Sequence, residues 1–127
     1  MKAEDGDYDL KCRTKSFALR IIKLYSVLPK SSEAQILGNQ LLRSGTSVGA
    51  QYREAQRAKS SADFISKLEG SLQELEETIY WLELLGESEI LPTKRLQPLC
   101  QEANELISIF VTIVINIKTN NTSRKRK

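Results

Sequence analysis

Four stretches of the chain carry apolar residues at intervals of three and four, and that repeat leaves little choice of fold. In the first, Phe17, Ile21, Leu24 and Leu28 follow a 4-3-4 spacing, which places them on one face of a helix. Pro29 disfavours helical backbone at Leu28 and ends the run. In the second, Leu37, Leu41, Ser44, Val48, Tyr52 and Ala55 hold one phase, behind the capping-box pattern Ser32-Glu33-Ala34-Gln35. Gly45, Thr46, Ser47 and Gly49 lower helix propensity in its middle, so a loop is the competing reading. The stripe nevertheless crosses them unbroken, and small residues inside a helix mark the close approach of a neighbour. The third stripe is Phe64, Leu68, Leu72, Leu75, Ile79 and Leu82, between Ser60 as N-cap and Gly86 as C-terminal stop.

The fourth stripe, Leu99, Ala103, Leu106, Phe110, Val114 and Ile117, follows Pro92 and Thr93. Pro98 sits one turn in, so a regular helix is free to begin only there. Ile107, Ile109, Val111, Ile113, Ile115 and Ile117 also alternate as a strand would. No second strand exists elsewhere to pair with it, and the segment reads as helix. The pattern as a whole predicts an all-α, antiparallel, up-and-down four-helix bundle with helices over about 10–28, 33–58, 61–85 and 93–118. A disordered acidic N-terminus over 1–9 and a basic disordered tail over 119–127 are expected to flank it.

At 127 residues the chain holds one domain. It contains no histidine, which removes Ser-His-Asp triads, His-ligated zinc and the Glu-x-x-His motif of di-iron bundles. Glu74, Glu76, Glu77 and Glu83 do not converge, because Glu76 and Glu83 fall on the flank opposite Glu74 and Glu77. Cys12 and Cys100 match no metal or redox spacing and read as free thiols. No catalytic residue, metal site or cofactor is expected, and the chain does not read as an enzyme. The acidic N-terminus is unlike a signal peptide, and the apolar run Leu106 to Ile117 is too short to cross a bilayer. The expectation is a cytoplasmic protein without a membrane partner.

Charge is distributed unevenly. Residues 10–59 hold ten Lys/Arg against Glu33 and Glu54, a local charge of +8, while residues 60–117 carry a local −7. Such asymmetry means either oppositely charged faces that pair or a basic face for a polyanion. Arg43, Arg53 and Arg57 point away from the second stripe, and Arg124, Lys125, Arg126 and Lys127 extend the cationic surface. No aromatic residues interleave with them, so RNA or DNA would be held by phosphate contact rather than base stacking.

The run Leu41-Leu42-Arg43-Ser44-Gly45-Thr46-Ser47-Val48-Gly49-Ala50 with Tyr52-Arg53-Glu54-Ala55 resembles the bacterial four-helix-bundle family first described as proteins encoded within intervening sequences of 23S ribosomal RNA. Asp63-Phe64-Ile65, Lys67-Leu68 and Glu74 to Leu82 are similar to its second signature. Gln51 departs from the pattern, where members usually carry asparagine. The resemblance implies a ring-like homopentamer without enzymatic activity. It also implies a relationship to the accessory variability proteins of diversity-generating retroelements, which bind nucleic acid and a reverse transcriptase.

The residues favour self-association independently. Ile109, Ile113 and Ile115 widen the apolar arc of the fourth stripe beyond what a monomer needs. Trp81, at heptad spacing from Glu74 and Lys67, is either an interface anchor or a lid over its own bundle's seam. Trp81, Ile109 and Ile113 are therefore the expected oligomer contacts.

Overall fold

The computed structural model describes residues 2–126, with side chains over 10–122. Four helices follow in order: α1 (Lys2–Ser26), α2 (Ser32–Gln56), α3 (Ser61–Glu87) and α4 (Thr93–Arg126). Each packs on its neighbours in sequence, and α1 also touches α4, which closes an up-and-down four-helix bundle. All four stripes point inward. Phe17, Ile21, Leu41, Val48, Leu68, Leu75, Leu82, Leu106 and Phe110 have no solvent exposure. Tyr52 stacks on Phe110 across the centre with ring centroids 5.7 Å apart.

The two ends differ from expectation. Helix α1 begins at Lys2 rather than near residue 10, and α4 continues to Arg126. The side chains of the tail residues Arg124, Lys125, Arg126 and Lys127 lie outside the described residues.

Two helix boundaries also shift. The N-cap of α2 is Ser31, whose side chain accepts from the Ala34 N–H. The capping box on Ser32 does not form, because Gln35 donates instead to the Pro29 carbonyl at 3.0 Å. Gly86 does not end α3. Chain reversal falls at Glu89, the one described non-glycine residue with positive φ (62°). Gly86 is buried inside the helix, where an added Cβ would lie 3.1 Å from Thr93 Oγ1 and 3.3 Å from Leu96 Cδ1. Its role is to admit the first turn of α4. Ser60 does cap α3, accepting from the Asp63 N–H at 3.0 Å.

The small residues of α2 are explained by packing. A Cβ on Gly45 would fall 2.8 Å from Ile21 Cγ1, and one on Gly38 would fall 2.5 Å from Leu28 Cδ1. Helix α1 at Gly45, and the turn that follows it at Gly38, therefore lie too close for an added side chain unless they shift. Towards α3, Thr78 donates to Ser44 Oγ at 2.9 Å and Ser71 donates to the Val48 carbonyl at 2.9 Å, all buried. Thr46 and Ser47 return their hydroxyls to the Leu42 and Arg43 carbonyls, so the helix runs through without a loop.

Candidate functional site

The three arginines on α2 have different fates. Arg43 donates to Glu74 at 3.2 Å and to Glu77, bridging α2 to α3. The hydrogen bond to Glu77 pushes its pKa up; desolvation opposes this, and the Glu74 charge reinforces it. Arg53 and Arg57 are exposed and make no ion pair among the described residues. Arg57 caps the C-terminus of α2 through its own N–H. Arg53 sits in the last turn, where a cation suits the helix dipole. The structure thus divides the expected basic face into one arginine committed to the fold and two whose charge is left to solvent.

Glu74 and Glu77 are held by Arg43, and Glu74 also accepts from Gln51 at 3.3 Å. Gln51 lies across Gly70, where an added Cβ would meet its Oε1 at 1.8 Å, so the departure from asparagine is housed by a glycine opposite. Among the described residues, no group of three or more His, Cys, Asp or Glu converges as a metal site would. The Cys100 thiol is pushed up by burial and, second, by the charge of Glu83, which disfavours its nucleophilic form.

The expected assembly residues Trp81, Ile109 and Ile113 are each partly buried against the core of their own chain. Glu102, Glu105, Ile109 and Ile113 run along one flank of α4, and the first two bind Arg13 of α1 at 2.6 and 3.2 Å. Ile109 and Ile113 therefore lie toward α1, partly buried against the core. Trp81 follows Lys67 and Glu74 along the flank of α3 that pairs with α2. It is partly buried over that seam, and its indole N–H is buried without an acceptor. Apolar side chains near them are left in solvent, Tyr80 at 54%, Val111 at 39% and Ile115 at 56%, and Leu19, Ile22, Val27 and Ile36 are exposed elsewhere, on α1, the turn after it and α2. Val111 and Ile115 share a flank with Lys118, which reaches Glu69 of α3 at 3.4 Å. The alternating run in the sequence concealed this division, because both flanks of α4 carry isoleucines. Among the described residues the Thr93–Thr122 stretch is long and apolar enough to cross a membrane by length and composition. Its inward face, Leu99, Ala103, Leu106 and Phe110, is spent on the bundle core.

Two basic residues that sequence reasoning passed over, Arg20 and Arg95, join Lys23 around a cavity of about 190 Å³ between α1 and α4. Their separation of 75 positions hid the juxtaposition, which only the bundle topology creates.

The fold defines the chain as an all-α four-helix bundle whose second helix is notched by glycines against its neighbours. The family model of the 23S rRNA-intervening sequence protein matches residues 7–112, and the chain belongs to that family. A crystal structure at 1.70 Å of a protein of unknown function from the S23 ribosomal protein family of Bacteroides thetaiotaomicron VPI-5482 is 39% identical. It superposes with a TM-score of 0.78, covering 83% of this chain and 97% of that one. None of the curated proteins matches.

Proposed function

We propose that the protein is a self-assembling, non-catalytic adaptor that holds nucleic acid by its phosphates and works in the cytoplasm. The observation that carries this is the division on α2: Arg43 is neutralised by α3, whereas Arg53 and Arg57 pair with no carboxylate among the described residues. The tail Arg124, Lys125, Arg126 and Lys127 adds cations to the chain. A ring multiplies such a weak patch, because each contact raises the effective concentration of the next. A homopentamer, by resemblance, is the assembly to expect. The resemblance to accessory variability proteins makes a reverse transcriptase the first protein partner to test. A purely structural oligomer is the second reading, favoured by the double pairing of Arg43.

Fluorescence anisotropy of a labelled RNA and DNA duplex tests the binding. Affinity should fall steeply and linearly in log salt and differ little between unrelated sequences. Absence of binding at low salt leaves the structural oligomer. For assembly, light scattering should give a multiple of the 14.4 kDa chain mass. Val111→Asp with Ile115→Asp should reduce it, since exposed side chains can be charged without disturbing the core. A monomer in the unmodified protein would refute assembly.

A further inference from the structure

The seam between α1 and α4 changes character along its length. At one level Arg13 of α1 meets Glu102 and Glu105 of α4. Further along the same two helices, Arg20 and Lys23 of α1 share a cavity with Arg95 of α4. None of these three makes an ion pair among the described residues.

Lys23 has a structural reason for its charge, since it lies in the last turn of α1. Arg20 and Arg95 have none. Arg95 stands in the first turn of α4, which holds no acidic residue, so its charge opposes the positive end of the helix dipole. Three like charges gathered around one cavity repel one another unless an anion joins them.

The geometry points to this cavity as a binding site for a phosphoryl group. A carboxylate offers two oxygens and one charge, which a single arginine fork satisfies. Three cations from two helices suit a group with three terminal oxygens and a charge of about −2. Leu24, Pro98 and Leu99 complete the wall and give an apolar surface for whatever carries the phosphate. The site is separate from Arg53 and Arg57 and does not rest on the duplex reading, so each can fail alone.

The test is a titration of the full chain followed through arginine side-chain NMR signals at constant ionic strength. Three probes are used: inorganic phosphate, a 5′-phosphorylated dinucleotide, and the same dinucleotide without the phosphate. Inorganic phosphate should shift Arg20 and Arg95 saturably. Arg20→Gln with Arg95→Gln should weaken it about tenfold or more, and Lys23→Gln should weaken it less. Lys94→Gln, whose side chain is outside the cavity, should change it by less than about twofold. Tighter binding of the phosphorylated dinucleotide identifies a nucleic-acid end as the source, and equal binding identifies a free phosphate; both support the site. Chloride shifting the same signals equally overturns it. So does unchanged binding in the double variant, or equal binding of the dinucleotide lacking phosphate.

Discussion

Along its α2 edge, helix α1 presses on Gly45 and Gly49, where an added Cβ would lie 2.8 Å from Ile21 and 3.0 Å from Thr14. Along its α4 edge, it leaves a cavity of about 190 Å³ edged by Arg20, Lys23 and Arg95. One edge is closed by removing side chains, and the other is bridged by Arg13 with Glu102 and Glu105 at one level and open around these three cations at another. The seam between α2 and α3 resembles the closed edge, with buried hydroxyl contacts at Ser44–Thr78 and Ser71–Val48 and Arg43 bound by two carboxylates. The contrast separates charges paired within the fold from charges left exposed.

If the α2 edge is the rigid one, filling it should do the most damage. Gly45→Val should destabilise the protein by about 3 kcal/mol, because Ile21 has no room to retreat in a packed interior. Thermal unfolding by circular dichroism reads this, and an unchanged midpoint would mean that the helices can separate. Thr78→Ala should cost about 1–2 kcal/mol, by removing a buried hydrogen bond and leaving Ser44 short of a donor. A double-mutant cycle with Ser44→Ala should show that the two losses are not additive.

The α1–α4 edge should respond more weakly. Arg13→Gln should cost only about 0.5–1 kcal/mol by denaturant titration, since Arg13 and Glu102 keep 26% and 18% of their side-chain exposure and water screens the pair. A smaller effect still concerns the thiols. Iodoacetamide should label exposed Cys12 before Cys100 at mildly alkaline pH. The raised Cys100 pKa lowers its thiolate fraction at any such pH, and its labelling should catch up only as pH rises. Equal rates, followed by mass spectrometry, would contradict its burial.

The fold was legible because all four core stripes repeat at the period that a helix requires, and an apolar stripe has no other stable place than a shared core. Gly45 and Gly49 were readable as a close approach for the same reason: they lie in phase with buried neighbours. Helix ends were less legible. The choice between Ser31 and Ser32 depended on whether Gln35 reached backwards or across to Pro29, which no local pattern decides. Surface roles were hardest to read. Ile109 and Ile115 are equivalent in the alternating run, yet Ile109 is partly buried against the core and Ile115 is exposed. Arg43 and Arg53 likewise differ only in whether a carboxylate of α3 stands opposite.

That last distinction is the centre of the account: paired charge belongs to the fold and unpaired charge to the partner. It is tested most directly by filter binding of RNA at low salt, with Arg43→Gln compared against Arg53→Glu plus Arg57→Glu. The account predicts that the double charge reversal abolishes retention while helicity stays intact. It predicts that Arg43→Gln lowers the unfolding midpoint slightly and leaves retention nearly unchanged. Loss of retention in Arg43→Gln, equal to that in the double variant, would contradict it.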